Sequence, residues 1–475
     1  MTESTEIDIE KFNLFQLLYH LPEHWKKERG IQIADALRAI EASDKDNEFT
    51  LVVDGFENEL TAPPDETNQS PPILIQYKIS DQPLAKAIER KGLIAVLDDG
   101  SVSFCRILRS SLDTENGTVV ITWNREDEEP ENSLVNRIGI RAFAYWDWIP
   151  VQDQTRSLLN VLTGYINSDE PNVAREIIEK HKPKTGEIDN YHVEENSDVI
   201  ESTFRAVESL DNSYLPIQGP PGTGKTFVGS HIISRLLTRE GEKPRIAIVA
   251  QSWAAIDNLF ESTIDKMVNE YGAEDQLKNK EINLAVSGQG GGSLEKRFGD
   301  YKKLTRFSKN TGVKFQVIPN GDGSVDDEAE AEWFRVVKSK KADGIIETIR
   351  EPLPNGPEVG KGDLNSKVNL LATTSWPLVT PEMREACNDK ALRDKFMFDY
   401  VFIDEAGQYS LAETLALSHS AKNIVLLGDP KQLPQVIKAN HEGGAGLSVM
   451  EYLIGKNENI EPSRGFYLGV TWRMR

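Results

Sequence analysis

Eight consecutive residues limit what this chain can fold into more than any other feature: Gly219, Pro220, Pro221, Gly222, Thr223, Gly224, Lys225 and Thr226. They fit the pattern G-x-x-x-x-G-K-S/T, with the apolar run Tyr214–Gln218 before them and an amphipathic stretch, Phe227 to Leu237, after them. Strand, glycine loop and helix in that order make a phosphate cradle. Glycines without a Cβ let the backbone wrap an anion with its N–H groups turned inward. Lys225 sets a cation against β- and γ-phosphates, and Thr226 offers a hydroxyl to Mg²⁺. The helix that follows adds its positive dipole end. All eight are candidate nucleotide-binding residues, with ATP and Mg²⁺ as the expected cofactors. A phosphate loop alone defines binding, not a reaction.

A second apolar run, Phe398 to Ile403, ends in Asp404 and Glu405. In isolation this reads equally well as a strand capped by solvated acids. Downstream of a phosphate loop it acquires chemistry. Asp404 is placed to hold Mg²⁺ through water, and Glu405 to orient and deprotonate an attacking water. A third run, Ala421 to Gly428, leads into Asp429, Lys431, Gln432 and Leu433. Gln432 can hydrogen-bond a γ-phosphate and register its loss, or it can sit at an ordinary strand exit.

The chain has 475 residues, which at roughly 100–200 per domain suggests about three domains. Its net charge of −22 argues at first against nucleic acid, which needs local positive charge. The distribution changes that. Residues 1–215 hold 41 acidic and 21 basic side chains, and residues 216–475 hold 35 and 33. The acidity belongs to the front of the chain, where we expect a protein partner or plain solvent, and the rest is near neutral. Only Cys105 and Cys387 are present, with no zinc spacing and no disulfide framework. A reducing, cytoplasmic setting is expected. No apolar run reaches the ~18 residues of a membrane span, and no signal peptide or lipidation signal is evident.

Periodicity divides the chain further. Residues 1–89 read as a helical and mixed region, with helical spacing over 11–42 and loop chemistry over 60–72. The apolar period becomes two from about residue 73. Asp99-Gly100 and Asn116-Gly117 mark turns, and residues 90–150 read as a small antiparallel, barrel-like β domain. Residues 151–198 are expected to form a helical stalk. From 199 to 462, strands alternate with helices, the pattern of a parallel sheet with helices on both faces, interrupted by an insertion at about 288–365. Tyr301 to Lys309, with Lys314 and Phe315, interleaves basic and aromatic residues, either a strand grip or a solvated helix face. Phe143, Tyr145, Trp146 and Trp148 cluster as core packing or a stacking platform.

Taken together, Gly219–Thr226, Asp404-Glu405-Ala406-Gly407-Gln408, Gly428–Leu433 and Trp472-Arg473-Met474 resemble motifs I, II, III and IV of superfamily 1 helicases. The flavour is the RNA-surveillance type, whose motif II reads Asp-Glu-Ala-x-Gln. The wording is nearest to the helicase half of prokaryotic proteins in which a RecB-like nuclease precedes such a helicase. The resemblance implies an α/β RecA-like P-loop NTPase lobe preceded by a small β-barrel-like domain on helices, with residues 463–475 opening a second, truncated RecA-like lobe. It implies that Gln408 and Gln432 contact the γ-phosphate and that Arg473 stabilises charge from the second lobe. It implies single-stranded DNA or RNA as partner, with Ser252 and Asn258 in motif Ia and Thr373 and Thr374 in a second strand-contacting motif, and 5′-to-3′ travel.

Some positions depart from that family. Thr203 stands where an adenine-reading glutamine is usual, and Trp253 where asparagine is usual. The motifs of the second lobe are not found, so the resemblance implies the front portion of such a motor, with another chain as a possible source of the rest. No nuclease pattern is convincing over 1–90. Two functions stay open: an ATP-dependent helicase or translocase, and a nucleotide-switched binding subunit that hydrolyses little on its own. A metabolic P-loop kinase fits the later motifs poorly.

Overall fold

A computed structural model describes residues 9–42, 50–60, 73–79, 82, 92–97, 101–108, 116–123, 135–146, 151–186, 188, 190–191, 198–278, 281–282, 284–289, 334–339, 369–379, 397–432 and 437–469. It divides into two compact units, one of residues Met1–His24 with Val151–Arg475 and one of Trp25–Pro150. No helix among the described residues is long and apolar enough to cross a membrane. Arg473, Cys387, Trp148 and the Tyr301–Phe315 segment lie outside the described residues.

Helices α1 (Ile9–His20) and α2 (His24–Ala42) form where the helical spacing predicts them. The β unit carries β1 (Thr50–Val52), β2 (Gly55–Leu60), β3 (Ile73–Lys78), β4 (Gly92–Val96), β5 (Val102–Ile107), β6 (Thr118–Trp123), helix α3 (Val135–Ile138) and β7 (Ala142–Trp146). All pairings are antiparallel, in the order β1-β7-β4-β5-β6-β3-β2. The β unit is therefore wider than the expected 90–150. Short strands with charged residues, such as Gly55–Leu60, carry no clean alternation and escape a periodicity reading.

This sheet curls. Four strand spacings separate β3 from β7, about 19 Å if flat. Yet the Tyr77 and Phe143 rings lie 5.4 Å apart at a T-shaped angle. The sheet's two end strands, β1 and β2, are consecutive in the chain, joined only by Val53 and Asp54. The Val53 N–H donates to the Arg141 carbonyl beside β7 (2.8 Å), and the Asp54 N–H to the Lys78 carbonyl on β3 (2.7 Å). Inward-facing residues of β1 and β3–β7 (Leu51, Ile75, Tyr77, Leu93, Cys105, Ile121, Trp123, Phe143) make one core, with Phe56 of β2 packed against it. Phe143 and Tyr145 thus pack inside, and neither is presented for base stacking.

The larger unit continues with α4 (Gln152–Asn167), α5 (Val173–Ile178), α6 (Val199–Glu208), β8 (Tyr214–Gln218), α7 (Lys225–Thr238), β9 (Ile246–Val249), α8 (Trp253–Asn269), α9 (Glu274–Lys278), β10 (Leu284–Gln289), β11 (Phe334–Ser339), β12 (Leu370–Thr373), β13 (Phe398–Asp404), α10 (Leu411–Leu417), β14 (Ala421–Gly428), α11 (Val449–Ile454) and β15 (Phe466–Tyr467). The eight strands order as β11-β10-β12-β9-β13-β14-β8-β15, and every pair is parallel. Strands β8 and β9 are buried throughout, as a parallel sheet covered on both faces requires. Helix α7 turns Val228, Ile232, Ile233, Leu236 and Leu237 to the core at helical spacing. Within the expected insertion, Phe334–Ser339 extends this sheet as edge strand β11.

Candidate active site

Because all the strands run the same way, their C-terminal ends share one edge, the usual ligand edge of such sheets. The phosphate loop leaves β8, Asp404-Glu405 leaves β13 and Asp429 leaves β14. Gln251-Ser252 follows β9, and Thr374-Ser375 follows β12. Strand β14 separates β8 from β13, so the acids stand roughly 10 Å across the sheet from the phosphate loop. The gap is of a size to take phosphates.

The loop is shaped by Gly222 and Gly224, whose φ values of 82° and 86° lie in the left-handed region. Its first residue is tied down by the Gly219 N–H, which donates to the Gly428 carbonyl (3.0 Å). Lys225 turns back onto its own loop, donating to the Gly219 (2.5 Å) and Pro220 (3.4 Å) carbonyls. The Thr223 hydroxyl donates to the Pro220 carbonyl (2.8 Å). Pro221 is exposed, and Thr226 is half-buried in the first turn of α7. Behind the loop, the buried Gln218 side chain accepts from the Ile460 N–H at 2.7 Å.

Asp404 is buried, at 4% exposure. Burial pushes its carboxyl up to about 6, the Glu405 charge adds to the shift, and the Glu405 N–H and Lys225 oppose it. That N–H donates to Asp404 Oδ1 at 2.9 Å. Glu405 itself sits at φ 55°, ψ 37°, a left-handed conformation that costs a non-glycine residue on the order of 1–3 kcal/mol. Its carboxylate accepts from the Ser252 hydroxyl at 3.4 Å. Thr226 and Asp404 suit Mg²⁺: both are hard oxygen donors, and a cation would offset the penalty that burial places on the Asp404 charge.

Gln408 and Gln432 are both half-buried on the loops after β13 and β14. The Gln408 N–H donates to the Glu405 carbonyl (2.8 Å), and the Gln432 N–H to the Asp429 carbonyl (3.2 Å). The two loops meet through Gly407, where a Cβ would overlap the Asp429 carbonyl oxygen.

The candidate strand contacts divide. Ser252 and Asn258 are exposed on the first turns of α8, and Thr374 is half-exposed past β12. Ser252 also caps α8, accepting from the Ala255 N–H at 3.1 Å. Thr373 is corrected: as the last residue of β12, paired with Val249, it is fully buried and reaches no surface. Thr203 is also fully buried, and its hydroxyl donates to the Val199 carbonyl of its own helix (2.6 Å), so it reads no base.

Sequence reasoning missed a group beside these loops. Glu413, on α10, accepts from Gln251 Nε2 (2.6 Å) and from the Ser375 hydroxyl (2.5 Å). The legible signal was a single charged residue in the run Leu411–Leu417, whose other six residues are buried.

With this geometry in place, similarity becomes informative. A family model described as an AAA domain matches residues 194–289 and 385–440, the segments that carry the phosphate loop and both acids. These residues match an AAA domain, and the similar proteins that follow include two named as helicases. The chain is similar to DNA polymerase alpha-associated DNA helicase A of Saccharomyces cerevisiae, 24% identical over 84% of this chain and 52% of the relative. It is also similar to regulator of nonsense transcripts 1 of Dictyostelium discoideum, 27% identical over 57% of this chain and 18% of that protein. Helicase sen1 of Schizosaccharomyces pombe is 25% identical over 56% of this chain and 18% of that protein. The chain covers about half the length of the first of these relatives.

Proposed function

We propose that this chain is the front portion of an ATP-dependent superfamily 1 helicase or translocase, in which ATP hydrolysis drives movement along a single strand of DNA or RNA. The observation that carries the reading is the gathering of Lys225, Asp404, Glu405 and the loop after β14 at one sheet edge, with the loops after β9 and β12 beside them. On nucleotide binding, Lys225 exchanges the Gly219 and Pro220 carbonyls for phosphate oxygens. Thr226 and Asp404 would hold Mg²⁺, which would supply neutralisation of the phosphate charge. Glu405 takes the proton of the attacking water, and its strained backbone holds the carboxylate toward the gap. Gln408 and Gln432 contact the γ-phosphate, and Arg473 adds charge from a second RecA-like lobe.

The finer reading is the RNA-surveillance type, nearest the helicase half of RecB-like nuclease fusions, cytoplasmic, with 5′-to-3′ travel. In it residues 199–462 are the first RecA-like lobe, 463–475 open the second, and the curled β unit is the small barrel carried ahead of the lobe. The Tyr77–Phe143 contact across four strand spacings supports the barrel. Ser252, Asn258 and Thr374 face the nucleic-acid strand. The experiment is ATP turnover with and without single-stranded DNA and RNA. Stimulated turnover that disappears in Lys225→Ala is expected, and turnover persisting in that variant overturns the site. Slow turnover indifferent to either strand favours the nucleotide-switched binding subunit instead.

A further inference from the structure

Two loops of the active edge converge on one side chain that lies outside the ATP site. Glu413 sits in the first turn of α10, and its own N–H is capped by the Ser410 hydroxyl (3.0 Å). One carboxylate oxygen accepts from Gln251, two residues past β9, and the other from Ser375, two residues past β12. Both loops carry candidate strand contacts: Ser252 stands beside Gln251, and Thr374 beside Ser375. The same chain segment reaches the chemistry, because Glu413 follows Glu405 by eight residues and Glu405 accepts from Ser252.

We propose that Glu413 is a positioning residue that clamps the loops after β9 and β12 to the acidic loop after β13, so that strand grip and ATP turnover are set together. The inference rests on the helicase reading above. A carboxylate suits the role because two donors from two loops require two acceptor oxygens at one point. Burial raises the Glu413 carboxyl above its ordinary range, opposed by the hydrogen bonds from Ser375 and Gln251, so the site keeps an awkward acid where an apolar residue would pack. The bland alternative is a helix-capping glutamate with incidental partners.

The test uses the full chain, measuring ATP turnover against increasing concentrations of a thymidine or a uridine oligonucleotide, together with the KM for ATP. Glu413→Ala is expected to raise the oligonucleotide concentration for half-maximal stimulation about tenfold, with the KM for ATP moving far less. Glu413→Gln, which keeps one acceptor and the side-chain volume, is expected to fall between wild type and alanine. Should Glu413→Ala fail to fold, Gln251→Ala and Ser375→Ala each remove one donor and are expected to shift the same midpoint. Wild-type midpoints in all these variants, or equal shifts in the midpoint and in the KM for ATP, overturn the clamp. A wild-type chain stimulated by neither oligonucleotide overturns the helicase reading itself, a result recognisable before any variant is made.

Discussion

The carbonyl oxygen of Asp429 occupies the space that a β-carbon on Gly407 would need. The loop after β13 and the loop after β14 therefore touch backbone to backbone, and any movement of one is felt by the other. Gly407→Ala must push them apart. It is expected to cost about 1–3 kcal/mol in denaturant unfolding and to lower kcat with it. Wild-type stability together with wild-type turnover in that variant would show that the contact is slack.

Glu405 combines a left-handed backbone with a carboxylate turned toward the Ser252 hydroxyl. The proposed mechanism makes Glu405 the general base, so its replacement by glutamine is expected to lower kcat about 10²–10⁴-fold while ATP still binds. Steady-state turnover beside equilibrium nucleotide binding reads the two separately. An unchanged kcat would move the base elsewhere.

Asp404 yields a pH-dependent prediction. Its folded value of about 6 exceeds the ordinary 3.8, chiefly because burial penalises the charge. An acid that binds its proton more tightly when folded loses stability as pH rises from the unfolded value through the folded one. The penalty is absent below about pH 4, grows up to about pH 6 and is level above that. Asp404→Asn removes it, so the nucleotide-free, Mg²⁺-free variant is expected to be more stable above pH 6, by at most about 3 kcal/mol. Thermal melts across that range check the sign. A gain that is largest in acid would contradict it.

In the β unit, Trp123 is fully buried in the curled sheet and lies 6.1 Å from the Phe143 ring. Trp123→Ala is expected to destabilise this unit by about 3–5 kcal/mol, seen as a lower denaturant midpoint. A midpoint within error of wild type would mean that the sheet does not depend on this core.

Much of the larger unit was legible because its signals are local. The phosphate loop lies between β8 and α7 where the glycine pattern requires, and the apolar runs 398–403 and 421–428 are β13 and β14. Asn116-Gly117 precedes β6, with Gly117 at φ 63° as a tight turn demands. What failed was positional. Thr373 was chosen for its place in a motif, but strand pairing turns it inward. Residues 50–60 fell within the helical and mixed region expected over 1–89, yet they supply both ends of the β sheet, because a strand's partners are set at long range.

By itself the sequence determined that a phosphate loop, a paired acid and a parallel α/β sheet exist here, since glycine spacing, apolar period and adjacent carboxylates are properties of neighbouring residues. The tertiary structure alone decided the strand order that puts β14 between Lys225 and Asp404, the burial that raises Asp404, and the meeting of Gln251, Ser375 and Glu413. Those depend on residues far apart in the chain coming within hydrogen-bonding distance, as Gln251 and Glu413 do at 2.6 Å, and no local pattern encodes that.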